Sequence, residues 1–130
     1  SGELQREIRR VEKHTEGNTG LCLNIALNYG GRDEIVTAVK KIAKEVEKGR
    51  LKPDDIDEGV ISGSLYTSNI PDPDLLIRTS GEKRSSNFLL WQVAYAEFWY
   101  TSVLWPDFSE NDMVEAICDF QNRNRRFGGI

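Results

Sequence analysis

Leu4, Ile8 and Val11 recur at helical spacing among charged neighbours, which predicts an amphipathic helix over residues 3 to 14. Glu16-Gly17-Asn18 supplies its stop, with a glycine suited to a left-handed cap. Leu21, Leu23, Ile25 and Leu27 then alternate with Cys22, Asn24 and Ala26. That period of two predicts a strand, closed by the turn Asn28-Tyr29-Gly30-Gly31. Residues 32 to 48 return to the helical period. Ile35, Val39, Ile42 and Val46 fall on one stripe, lysines gather towards the end and Gly49 follows as a stop. Pro53 opens an acidic, short-helical region. A loop around Pro71 and Pro73 leads to Leu75-Leu76-Ile77, a short buried strand that breaks at Arg78-Thr79-Ser80-Gly81.

Residues 86 to 100 are apolar on nearly every side, so periodicity does not separate helix from strand. The reading is a buried helix through about Ala96, then a strand from Phe98 to Val103. Ser109 is a good N-cap for the last helix, with Glu110 and Asp112 in its first turn. Met113, Ile117 and Phe120 form one face, Arg123, Arg125 and Arg126 fill the last turn, and Gly128 closes it. Helices alternating with short buried strands give the class α/β, a mainly parallel sheet flanked by helices. Only about three strands are visible, against ~4–6 in a typical sheet. The sheet is therefore expected to be partly present.

Composition narrows the function. The chain has 130 residues, 38% hydrophobic and 29% charged, the balance of one globular domain. A net charge of -4 argues against a nucleic-acid partner. The apolar runs are too short to span a membrane, and the charged opening is not a secretion signal, so the expected location is cytoplasmic. Cys22 and Cys118 sit far apart in apolar stretches and read as two buried, reduced thiols. His14 is the one histidine and no cysteines are close together, so zinc is not expected.

The acidic average hides a segregation. Pro53 to Ile77 holds six acids and no bases, and so does Glu97 to Asp119. Between these blocks lie Arg78, Lys83 and Arg84, opposed only by Glu82. Arg78 follows a buried strand, and open α/β sheets bind ligands at the carboxyl ends of their strands. Arg78, Arg84, Ser85, Ser86 and the amides of the Ser-Gly turn could converge there. Guanidinium forks, hydroxyls and turn amides together suit a diphosphate. The alternative is a solvated turn whose arginines pair with neighbouring acids.

Glu97 lies in the apolar run from Trp91 to Tyr100, where a carboxylate needs a cation, a metal or a retained proton. A salt bridge is one reading; an oxygen ligand to Mg²⁺ beside a diphosphate is the other. The C-terminal arginines complement the helix dipole or reach a ligand. Asn28-Tyr29-Gly30-Gly31-Arg32 either turns strand into helix or lies against a ligand.

Asn24 to Arg32 resembles one block of the cis-prenyltransferases. So do Arg78-Thr79-Ser80-Gly81-Glu82 through Arg84, Ser86 to Gln92, and Tyr95-Ala96-Glu97. Leu104-Trp105-Pro106-Asp107-Phe108 and Arg125-Arg126-Phe127-Gly128-Gly129 complete the set. The blocks cover nearly the whole chain in order, and the bacterial undecaprenyl diphosphate synthases are the nearest branch. The resemblance implies a dimeric, Mg²⁺-dependent enzyme that condenses isopentenyl diphosphate onto an allylic diphosphate, with each new double bond cis. It assigns isopentenyl diphosphate binding to Arg78, Arg84, Ser85 and Ser86. It assigns a Mg²⁺ role to Glu97, and a tail that completes a site across the dimer to Arg126 and Gly128. It also implies transient membrane-surface association through the product.

The family's Asp-Gly-Asn-Gly motif, whose aspartate holds Mg²⁺, and its Glu-Asn-Trp-like motif are not found in this sequence. The chain is therefore expected to be the C-terminal portion of a single domain, with no catalytic residue of its own and inactive alone. A non-catalytic partner subunit lending its Arg-x-Gly tail is the competing reading. A flavodoxin-like phosphate binder would fit the α/β pattern alone.

Overall fold

In a computed structural model, which describes residues 1 to 125, two parallel strands form the only sheet among the described residues. β1 (Leu75–Arg78) pairs with β2 (Glu97–Tyr100) in the register Leu75 to Glu97 and Arg78 to Tyr100. The helices are α1 (Gly2–Thr15), α2 (Gly31–Glu47), the short α3 (Glu58–Ser62) and α4 (Glu110–Gln121). Single 3-10 turns lie at Pro53–Asp55 and Trp105–Asp107, each with proline at its start, where no amide donor is needed. α2 packs against α3 and α4 against β2. Ala38, Ile42, Leu65, Val93 and Ala116 are the buried apolar residues. The α/β class with a parallel sheet and flanking helices is as expected.

Local chemistry explains the helix ends. The Ser1 and Asp57 side chains accept from the backbone N–H of Leu4 and Val60. At α4, Ser109 and Asp112 form a reciprocal capping box. Gly49, with φ +69°, ends the region of α2 in the left-handed conformation glycine tolerates.

Several sequence expectations are corrected. Residues 21 to 27 form no strand: the alternation is real, but no described strand lies beside them to take their N–H and C=O groups. Leu21 is 94% exposed and Ile25 72%. They flank, with Ile8 and Val11 of α1, an open groove of about 1220 Å³. α1 forms but buries none of its residues.

Residues 86 to 95 are a chain of turns, not a helix. Ser86, Asn87 and Leu89 have φ of +49°, +66° and +47°, which breaks a right-handed ladder at its start. β2 begins one residue early and ends at Tyr100. From there Thr101 and Val103 accept instead from the turn after β1. The stripe that α2 buries runs Gly31, Glu34, Ala38, Ile42, while Val39 is exposed. Cys22 and Cys118 are exposed free thiols, Cys22 on the unpaired segment and Cys118 on the solvent side of α4. α4 itself buries Ala116 and leaves Met113 and Ile117 exposed. Arg123 and Arg125 come after its end rather than in its last turn.

Candidate functional site

β1 delivers Arg78 to the carboxyl end of the sheet. There a cavity of about 260 Å³ is lined by Arg78, Thr79, Arg84 and Ser85, with Phe88 and Trp105 among its apolar walls. Three of the four residues singled out for diphosphate binding therefore meet. Ser86 does not line this cavity. The turn amides do not serve it either: Ser80 N–H donates to the Val103 carbonyl and Gly81 N–H to Thr101, both at 2.8 Å. Arg84 forms a 2.5 Å ion pair with Glu82, but its side chain is 66% exposed, so the pair is weak and easily exchanged for an anionic ligand. Guanidinium and hydroxyl groups facing a partly apolar recess can hold a phosphate headgroup with a short hydrocarbon beside it.

The loop carrying these groups is bolted down from behind. Asn87 Oδ1 accepts from the Arg32 N–H at 2.9 Å, and the Asn87 carbonyl accepts from Gly31 N–H at 2.7 Å. Trp91 Nε1 donates to Ser62 Oγ at 2.9 Å. Tyr29 stands edge-on to Phe88, with ring centres 5.6 Å apart. The Asn28 to Arg32 run thus turns the chain into α2 and at the same time anchors the basic loop.

Beneath it lies a carboxylate that sequence reasoning missed. Glu34 is 1% exposed. It accepts from Tyr66 N–H at 2.8 Å, from Gln92 Nε2 at 3.1 and 3.2 Å, and from the Tyr29 hydroxyl. Gln92 Nε2 also reaches Thr67 Oγ1 at 2.9 Å. Burial above all, then the Glu34 hydrogen bond and its charge, push the Tyr29 phenol well above its ordinary range. The signal was the helical stripe of Gly31, Ala38 and Ile42, which puts Glu34 inside.

Glu97 stands elsewhere. It pairs in register with Leu75, three positions before Arg78, or about 10 Å along the strand, and side chains alternate faces. Within one chain it therefore lies at the other end and on the other face of the sheet from Arg78. Its Oε2 meets Arg123 Nη1 at 2.8 Å. Arg123 also binds Asp119 and donates to the Phe98 carbonyl at 3.0 Å. Arg125 pairs with Asp74 at 2.6 Å and lies over the Phe120 ring. The hydrogen bonds from Glu97 and then Asp119 hold the Arg123 guanidinium above its usual range. Among the described residues no three acidic, histidine or cysteine side chains cluster to hold a metal. Arg126 and Gly128 lie outside the described residues.

The family described as "Putative undecaprenyl diphosphate synthase" matches residues 1–128. The chain belongs to the cis-prenyltransferase family. It is 61% identical over 126 residues to an isoprenyl transferase of Geobacillus kaustophilus, covering 97% of this chain and 49% of that protein. An isoprenyl transferase of Heliobacterium mobile is 58% identical over 129 residues, covering 99% of this chain and 50% of that protein. This cis-prenyltransferase chain thus spans about half the length of the curated relatives it matches.

Solved structures agree. The lavandulyl diphosphate synthase of Lavandula x intermedia, in complex with dimethylallyl diphosphate, superposes with a TM-score of 0.95 at 45% identity. It covers 98% of this chain and 55% of that one. A probable undecaprenyl diphosphate synthase from Campylobacter jejuni gives 0.82 at 35% identity, with 98% and 57% covered. Among the described residues of this cis-prenyltransferase chain, no helix is long and apolar enough to cross a membrane.

Proposed function

We propose that this chain provides the part of a cis-prenyltransferase that holds isopentenyl diphosphate, in an enzyme that elongates an allylic diphosphate to a long cis-polyprenyl diphosphate. The observation that carries this reading is the convergence of Arg78, Arg84 and Ser85 on one recess at the carboxyl end of β1, with Phe88 and Trp105 beside them. The isoprenyl transferase relatives and the neighbour holding dimethylallyl diphosphate support the substrate class.

In the condensation, the isopentenyl double bond attacks the allylic C1, the C1–O bond breaks and diphosphate departs. A proton then leaves to give the new alkene. This chain's part is positional. The arginines and Ser85 fix the isopentenyl diphosphate, and that makes an otherwise bimolecular attack effectively intramolecular. Mg²⁺ belongs to the proposal: Glu97 would help to hold it, and it would offset the negative charge of the departing diphosphate. Ser86, Arg126 and Gly128 are proposed contacts supplied beyond this recess, the last two across a homodimer. The enzyme is proposed to work in the cytoplasm, touching the membrane surface through its product. By itself the chain is expected to bind and not to turn over.

Isothermal titration of the chain with isopentenyl diphosphate tests this. Arg78→Ala and Arg84→Ala should each weaken binding roughly tenfold, the effect of losing one charge-assisted hydrogen bond. In a full-length relative, the counterpart of Arg84→Ala should raise the KM for isopentenyl diphosphate far more than that for farnesyl diphosphate. Unchanged affinity in both variants, or equal loss for both substrates, would refute the assignment.

A further inference from the structure

The loop from Arg84 to Gln92 holds an improbable backbone. Ser86, Asn87 and Leu89 are all left-handed, and none is glycine. Such residues persist only where the surroundings over-determine them. The surroundings here are specific. Asn87 spans the first turn of α2 twice, with its carbonyl on Gly31 N–H at 2.7 Å and its Oδ1 on Arg32 N–H at 2.9 Å. Those amides are orphan donors of a helix start that has no side-chain cap of its own. The fit is also steric. A Cβ at Gly31 would lie 3.0 Å from Leu90 Cγ and 3.1 Å from the Asn87 carbonyl oxygen, and one at Gly30 would lie 3.0 Å from Asn87 Nδ2. Gly31 itself is buried.

We infer that Asn87 is a positioning residue: with Gly31 as its seat, it caps α2 from another part of the chain and so fixes the loop that presents Arg84 and Ser85 to the anion. This rests on the proposed reading that the recess binds a diphosphate. Asparagine suits the post for two reasons at once. It tolerates left-handed φ better than most residues, and its side chain carries the acceptor that a helix N-terminus lacks. Arg84 and Ser85 precede Asn87 by three and two residues, so a hinge at Asn87 moves both together.

The two roles of Asn87 separate by substitution. Asn87→Gly keeps the left-handed backbone and loses the side-chain acceptor. Asn87→Asp keeps both. Gly31→Ala leaves Asn87 intact and removes its seat. The probes are inorganic pyrophosphate affinity by isothermal titration and amide hydrogen exchange of residues 84 to 92, each on the whole chain. Asn87→Gly and Gly31→Ala should each weaken pyrophosphate binding by roughly fivefold to tenfold, about the effect of one lost hydrogen bond. Both should speed exchange in the loop. Their double variant should be no worse than either alone, because they act on one contact. Asn87→Asp should restore slow exchange, a readout on which its added charge does not bear through the anion. A merely structural role would lower stability while leaving the folded chain's affinity and the exchange pattern unchanged, and that result would overturn the inference. Additive losses would overturn it too. If the unaltered chain binds no pyrophosphate, the diphosphate reading itself fails and the positioning role falls with it. If it binds and Asn87→Gly binds equally well, only the positioning role fails.

Discussion

Replacing Glu34 by leucine should remove a large share of this chain's stability. The carboxylate is almost wholly buried and serves three donors: Tyr66 N–H, the Gln92 amide and the Tyr29 hydroxyl. Leucine leaves the Tyr66 N–H without its acceptor, at a cost of about 1–3 kcal/mol, and strips the Gln92 amide of one of its two partners at about 1–2 kcal/mol. The Tyr29 hydroxyl is half-buried and recovers water. The added apolar burial returns roughly 1–2 kcal/mol. At the middle of these ranges the net expectation is a loss of about 2 kcal/mol, against about 5–15 kcal/mol for a typical domain. Urea unfolding followed by tryptophan fluorescence measures it. Glu34→Gln should fall between the two, since one oxygen survives for Tyr66 while an amide now faces the Gln92 amide. Gln92 Oε1 has no partner among the described residues, so Glu34→Leu with Gln92→Leu should cost less than the sum of the singles. A Glu34→Leu loss under about 1 kcal/mol would refute the view that this network bears on stability.

Three further outcomes are expected. The folded state raises the Tyr29 phenol above its unfolded value near 10, so the stability it contributes is complete below pH 10 and is lost as pH rises towards the folded value. Urea unfolding between pH 8 and 11 should fall less steeply for Tyr29→Phe than for the parent, and equal slopes would contradict this. Arg123→Met leaves Glu97 and Asp119 without their shared cation. It should cost about 1–2 kcal/mol, between surface and buried pairs, and a double-mutant cycle with Glu97→Gln should show coupling. Ile25→Lys, at a residue 72% exposed, should change the stability of this chain by less than about 0.5 kcal/mol in the same assay. A larger loss would mean that residues 21 to 27 are packed.

What could be read from the sequence was what short-range chemistry decides. α2, the Ser109 cap and the β1 strand were legible because period, capping and turn residues act locally. Arg78, Arg84 and Ser85 were legible as a group because a strand end and a basic turn lie close in sequence. What escaped depends on distant partners. The turns at residues 86 to 95 are held by Gly31 and Arg32, more than fifty positions away, and no local pattern encodes that. Glu34 escaped because its partners Tyr66 and Gln92 lie 32 and 58 positions away. The segment from Leu21 to Leu27 has the alternation of a strand, but alternation without a neighbour yields only an extended chain.

That last segment bears on how the molecule behaves in a crowded solution. From Gly17 to Gly31 the sequence has no charged residue and no proline, and within it Leu21, Leu23, Ile25 and Leu27 are open to solvent. Sequences of this kind usually carry charges or prolines at their edges to stop chains pairing with one another. Here the nearest such guards are Glu16 and Arg32. The stretch between them has the makings of a template for strand pairing from one molecule to the next.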